Sequence, residues 1–359
     1  MTHLEQRLKN DLEKIRAKVA EQAVLVETAL RNAVQAFQTG EHALAHTTVI
    51  HDHPINRNMR AIDRLCHSFI AVHLPSAGNL RLISAVIRVS IELERIGDYA
   101  VTIAREAVQL STQPAGEIGR ELERLAGETF LMLKQSCRAF NELNPEIARS
   151  TMLIADQMEH NLDMVYAQMM SSDQHQVVKD TFATFVVFTQ LKRAADQAKN
   201  ICEETVFAAT GDQKVPKVYN ILFVDETNSV ASQMAEAVAR NSFPNSARYS
   251  SAGKNPAAEI DPGLRQFLEM RLNKFEGHTS KITQITPQKL AEQTVVVSLQ
   301  GPVSDYFPTL PFHTAALEWD IPDIDAVPPG GDNDMENLYR EIALRINDLM
   351  FILRGEEAN

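Results

Sequence analysis

The chain has little cysteine, one tryptophan and no long apolar run among its 359 residues. Each scarcity excludes something. Cys66, Cys137 and Cys202 stand far apart in apolar surroundings. They have the spacing of neither a disulfide framework nor a zinc site, and read as buried thiols of a reducing cytosol. A membrane-spanning helix needs about 20 consecutive apolar residues, and no such stretch occurs. The first residues, MTHLEQRLKNDLEKIRAK, are charged and helical, without the apolar core of a secretory leader. Basic residues are outnumbered, 35 Lys and Arg against 47 Asp and Glu, for a net charge of −12. That balance argues against nucleic acid as a general partner.

Gly and Pro are also sparse up to about residue 211, where they mark helix ends: Gly40, Pro75, Pro114 with Gly116, Pro145 and Gly211. Ser171-Ser172-Asp173 marks one more. Six long helices follow, split three and three around residue 115. Leu4, Leu8, Leu12, Ile15 and Val19 form an apolar stripe at helical spacing. Helices of this kind must each bury one stripe, so two three-helix bundles are expected, at 1–113 and 114–213. After Lys214-Val215-Pro216-Lys217 the pattern changes. Residues 218–224 and 294–299 read as buried strands, and 334–353 as an amphipathic helix with Leu338, Ile342, Arg345, Ile346 and Leu349 in its pattern. The expected fold class is therefore multidomain, α followed by α/β with a parallel sheet, the last domain covering 217–355.

The two helical halves parallel one another. Leu93-Glu94-Arg95-Ile96-Gly97-Asp98 matches Leu191-Lys192-Arg193-Ala194-Ala195-Asp196, and residues 49–56 match 158–163. The stretch LERIGDYAVTIA at 93–104 resembles the signature of the PhoU family of phosphate-uptake regulators. Asp52, Ile55, Asn56, Ile62 and Asp63, with Pro75 and Asn79-Leu80-Arg81, also fit its first repeat. The likeness covers about residues 15–211 and is eroded in the second repeat. It implies a cytoplasmic regulator with two partners, the ATPase subunit of a phosphate ABC transporter and a phosphate-sensing histidine kinase, and it makes a homodimer plausible.

The resemblance also implies metal sites built from acid pairs four residues apart. Carboxylates at that spacing share a helix face, and two such helices offer four oxygen ligands to iron, zinc, manganese or magnesium. The first repeat supplies Asp52, Asn56, Glu94 and Asp98; the second supplies Glu159, Asp163 and Asp196, with Lys192 where an acid belongs. The same pairs also occur on solvated helix faces, with Arg95 as an ion-pair partner. His42, His46, His51 and His53 surround Asp52 and read as exposed, protonatable side chains.

Residues 221–237, ILFVDETNSVASQMAEA, read as a strand, a tight polar loop and a helix beginning near Ser232. They resemble the phosphate loop of low-molecular-weight tyrosine phosphatases and arsenate reductases. Ser251-Ala252-Gly253 with Pro256, and Trp319 through Asp323, fit the same family. That resemblance implies a Cys nucleophile and a phosphate-binding Arg, whose places hold Asp225 and Ala231. A thiolate can attack phosphorus and a guanidinium can clamp its oxygens with two parallel bonds; a carboxylate and a methyl group do neither. Glu226 adds a second negative charge, Asn228, Ser229 and Ser232 complete the degenerate loop, and Asp323 holds the place of the general acid. No phosphatase activity is expected. Three function classes stand: a non-enzymatic regulator of phosphate uptake, an enzyme of phosphate or arsenate chemistry, and a carboxylate metal bundle.

Overall fold

The computed structural model describes residues 3–155, 178–212, 214, 216–272, 275–311, 313–321 and 332–359. The chain divides into two compact units, Met1–Lys214 and Val215–Asn359.

The described residues of the first unit form helices joined by short turns. Its elements are α1 (His3–Thr39), α2 (His42–Ile50), α3 (Asp52–His73), α4 (Ala77–Gln109), α5 (Gly116–Glu142), α6 (residues 145–155, as far as the described residues run) and α7 (Val178–Thr210). Gly40 and Gly211 end α1 and α7 with positive φ, where a residue without Cβ meets no penalty. One break was not legible from the turn residues: the second helix of the first repeat is interrupted at His51. Pro54 lies in the first turn of α3, where its missing N–H forfeits no helical bond. The apolar stripe of α1 also starts later than expected. Ile15 and Val19 are buried, but Leu4 is 72% exposed, because the first turns of α1 face the last turns of α3 across an open groove.

The halves do not keep separate cores. Leu30 and Phe37 of α1, Ile62 of α3, Ile96 and Ile103 of α4, Leu122 of α5, and Phe188 and Ile201 of α7 belong to one continuous apolar cluster. The physical reason is that α4 and α7, the last helix of each repeat, pack along one another. Arg88 on α4 pairs with Glu204 on α7 at 2.6 Å and stacks over Phe207.

The second unit is a four-stranded parallel sheet of order β2-β1-β3-β4, from β1 (Tyr219–Asp225), β2 (Ala247–Gly253), β3 (Val295–Ser298) and β4 (Ala315–Glu318). Its helices are α8 (Ala231–Ser242), α9 (Pro262–Arg271), α10 (Pro287–Ala291) and α11 (Asp332–Arg354). Residues of β1 alternate between faces. Ile221 and Phe223 join Met234, Leu264 and Ile342 on one side; Leu222 and Val224 join Ile282, Val303 and Phe307 on the other. Ser251-Ala252-Gly253 is the end of β2 itself, not a turn after it. Arg345 of α11 donates to the backbone oxygen of Trp319, whose ring is buried against Phe223. The chain leaves β1 for β2 on one side and returns to β3 on the other. The crevice at the carboxyl end of β1 is therefore the switch point of the sheet.

Candidate functional site

That crevice holds the loop from Asp225 to Ser232. β1 ends on Asp225, and α8 starts at Ala231, so helical N–H groups point back at the strand end. Asp225 is 2% exposed and its carboxylate is turned inward. Oδ1 accepts from the backbone N–H of Asn228 at 2.6 Å, and Oδ2 from that of Ser232 at 2.8 Å. A side-chain anion thus lies against the amides at the helix start. Asn228 is fully buried with φ +48, in the left-handed region that Asn tolerates best among residues bearing a Cβ. Its side chain donates to Ser232 Oγ at 2.8 Å and accepts from the Ser280 N–H at 2.7 Å. Gln233 completes the network, donating to Asn228 Oδ1, Ser251 Oγ and the His278 carbonyl. Thr227 and Ser229 hydroxyls bond to each other at 3.0 Å. Ala231 presents only its methyl group.

Gly253 shows how tightly the loop is seated. A Cβ there would stand 2.8 Å from the Asn228 nitrogen and 2.9 Å from the Thr227 carbonyl carbon, both backbone atoms. Gln233, Ser251, Gly253 and Ser280 are the residues that sequence reasoning did not assign to the loop network. All four lie outside the stretch from Asp225 to Ser232: Ser251 and Gly253 were marked by the Ser-Ala-Gly motif, and Gln233 and Ser280 only by their polarity.

The mouth is a cleft of about 410 Å³ lined by Glu226, Lys254, Gln300, Asp305, Tyr306 and Asp320 among others. Glu226 is exposed and accepts from Asn255 Nδ2 at 2.6 Å. Burial, then the nearby carboxylates of Asp225, Glu226 and Asp305, push the Tyr306 hydroxyl up to about 12. The cleft is therefore negative where a phosphate group would need positive charge. Asp323, expected at the general-acid place, lies outside the described residues.

In the helical unit, Asp52, Glu94 and Asp98 do come together. Burial, then Asp98 and Asp52, raise the Glu94 carboxyl; burial, then Asp52, raise that of Asp98. Asn56 Nδ2 donates to Asp52 Oδ2 at 2.6 Å, and Asp52 Oδ1 is buried with no hydrogen-bond partner among the described residues. The cluster has charge that a cation would neutralise. Even so, among the described residues no three Asp, Glu, His or Cys groups converge closely enough to hold an ion in common. In the second repeat Lys192 Nζ pairs with Asp196 at 2.8 Å, and Glu159 and Asp163 lie outside the described residues. His42, His46, His51 and His53 are exposed. Cys66 and Cys202 are buried, and burial pushes each thiol up to about 12. Among the described residues no helix is long and apolar enough to cross a membrane.

Comparison with known proteins agrees with this division. The PhoU domain model matches residues 19–107 and 122–205, and the low molecular weight phosphotyrosine protein phosphatase model matches 220–354. Over 204 residues the chain is 28% identical to a phosphate-specific transport system accessory protein PhoU homolog of Synechocystis sp., covering 56% of this chain and 91% of that protein. Over 211 residues it is 26% identical to the accessory protein PhoU of Escherichia coli, covering 58% and 88%. The crystal structure of PhoU from Pseudomonas aeruginosa is 26% identical with a TM-score of 0.55, covering 57% of this chain and 99% of that one. The chain thus carries a pair of PhoU domains joined to a low molecular weight phosphotyrosine phosphatase-like domain.

Proposed function

We propose that the chain is a cytoplasmic regulator of phosphate uptake that acts by contact, and that its phosphatase-like domain performs no catalysis. The partners are the ATPase subunit of a phosphate ABC transporter and a phosphate-sensing histidine kinase, met by a homodimer. The regulatory half of this reading is supported by the PhoU match in both helical repeats and by relatives named as accessory proteins of phosphate-specific transport. The non-catalytic half rests on one observation: the carboxylate of Asp225 lies inward against the amides of Asn228 and Ser232, in a loop with Ala231 and no guanidinium. Such a loop has no thiolate to attack phosphorus and no bidentate clamp for its oxygens. A scaffold can persist after its reaction is lost when a surface is what is used.

The test is affinity purification of the full chain from phosphate-starved and phosphate-replete cells. Specific recovery of the transporter ATPase or the kinase in one condition is the expected result. Recovery of neither in both conditions contradicts the reading.

A second reading, a metal-holding helical bundle, is favoured by the unpartnered Asp52 Oδ1 beside the raised carboxyls of Glu94 and Asp98. A hard cation such as iron, zinc, manganese or magnesium would be its ligand. Elemental analysis of the purified chain tests it: stoichiometric metal lost in Glu94→Ala and Asp98→Ala supports it, and metal absent from the native chain removes it.

A further inference from the structure

The outward face of α3 carries a run of arginines. The inward face of the helix is set by Ile55, Asn58, Ile62, Cys66 and Phe69, all buried. On the opposite side of the helix stand Arg57, Arg60 and Arg64, at spacings of three and four, and all three are exposed. Exposed His53 and His67 extend the same face by one turn at either end. From Arg57 to Arg64 the stripe runs about 10 Å, at about 1.5 Å per residue. The chain as a whole has a net charge of −12, so the stripe is a local reversal of sign.

Local rules argue against such a run. Like charges three or four residues apart destabilise a helix, whereas a glutamate at that spacing supports it. Elsewhere in the helical unit Arg31 pairs with Glu27 at 2.8 Å, Arg124 with Glu121 at 2.7 Å, and Arg138 with Glu142 at 2.9 Å. Around Arg57 the corresponding positions hold His53, Pro54, Arg60 and Ala61; around Arg64 they hold Arg60, Ala61, His67 and Ser68. The one acid at that spacing from Arg60 is Asp63, which is turned to His67 at 3.4 Å. Among the described residues none of the three guanidinium groups forms an ion pair. The three positive charges are thus left for something outside the chain.

We infer that the outward face of α3 binds an acidic segment of a partner protein, whose Asp and Glu carboxylates pair with Arg57, Arg60 and Arg64. A guanidinium holds a carboxylate through two parallel N–H donors in a fixed fork. Three such forks spread along the helix meet successive carboxylates of one segment. A long polyanion, such as a membrane surface or duplex nucleic acid, would also meet the net negative charge of the rest of the chain, which opposes its approach. A short segment touches the stripe alone. Along α3 no large apolar side chain shares this face, so charge complementarity sets the choice of partner. The inference is independent of which cellular system the partner belongs to, and it survives or fails separately from a role in phosphate uptake.

The experiment is panning of a displayed library of random peptides against the full chain, each about 12 residues long and able to span the stripe at about 3.3 Å per residue. Enrichment of Asp and Glu is expected. The enriched peptides, labelled with fluorescein, should bind about tenfold more weakly to Arg57→Gln/Arg60→Gln/Arg64→Gln and lose affinity as salt is added. Arg105→Gln/Arg120→Gln/Arg193→Gln removes three exposed arginines from α4, α5 and α7. It has the same net charge as the α3 variant and should bind within about twofold of the native chain. Glutamine keeps helix propensity, and circular dichroism shows that each variant is folded; Arg60→Gln alone, expected to weaken binding about threefold, is the milder form of the test. No acidic enrichment, unchanged binding by the α3 variants, or equal loss in both triple variants overturns the inference. So does sedimentation of the native chain, and not the α3 variant, with phosphatidylglycerol vesicles, which assigns the stripe to a membrane. Self-association of the native chain that the α3 variant loses would assign it to a second copy and overturn it equally.

Discussion

Replacing Asp225 by Ala removes the acceptor of two short bonds, 2.6 Å to the Asn228 amide and 2.8 Å to the Ser232 amide. A hydrogen bond to a charged acceptor contributes about 1.5–3 kcal/mol, and a buried amide left without an acceptor costs about 1–3 kcal/mol. Relief from keeping a buried carboxylate out of water offsets part of the sum. The net expectation is a loss of about 3 kcal/mol in the second unit. For a unit of this size that lowers the melting midpoint by roughly 10 °C. The chain supplies its own probe: its one tryptophan is Trp319, buried in the second unit against Phe223. Its fluorescence therefore follows that unit while the helical unit stays silent. Orthophosphate should restore part of the loss in the variant. A ligand at about ten times its Kd stabilises by about 1.4 kcal/mol, and the native chain, whose amides are already taken, should not respond. A midpoint within about 1 °C of the native value would refute the idea that this carboxylate holds the loop together.

Gly253→Ala places a Cβ 2.8–2.9 Å from backbone atoms of Thr227 and Asn228; overpacking of this kind costs about 1–3 kcal/mol, read by the same tryptophan in urea. In the metal-free chain, Glu94→Gln/Asp98→Asn should raise the stability of the helical unit at pH 7. The native carboxyls are raised above 4.5 and 3.8, so the folded state binds their protons more tightly than the unfolded state. Their contribution is present at low pH and lost as pH rises through the folded values. The advantage of the double variant should fade below pH about 4, and helical circular dichroism against pH checks it. Saturating manganese should reverse the order at pH 7 if the acid group takes a cation. At pH 8, Cys66 and Cys202, with thiols pushed up to about 12, should be inert to a disulfide reagent until urea unfolds the chain.

Much of this arrangement was legible in the residues, because the informative positions were those where chemistry and backbone both constrain the choice. The strand before Asp225, the helix after it and the missing Cys and Arg could be read directly, since a phosphate loop tolerates few residue types. The inward turn of Asp225 could not, as it depends on Asn228 taking φ +48, braced by Gln233 of α8 and by Ser280 arriving from elsewhere in the fold. Among the described residues of the first unit, the helices were legible from Gly and Pro at their ends and from apolar spacing, apart from the break at His51. Their merger into one core was not, because periodicity says which face is buried and not against what: α4 shares its buried face with α7 about a hundred residues away. Leu4 shows the same limit from the other side, an apolar residue in register with a stripe that has no neighbour to cover it. The acid pairs at Asp52, Glu94 and Asp98 were found by their i, i+4 spacing, which brings them close and leaves convergence on an ion to packing that spacing does not control.

The central claim, that the second unit has lost its reaction, is tested most directly by hydrolysis of p-nitrophenyl phosphate with the full chain, alongside Asp225→Asn. The account predicts that both release p-nitrophenol at the rate of buffer alone. Turnover by the native chain that disappears in Asp225→Asn, with a phosphoryl group trapped on Asp225, would contradict it.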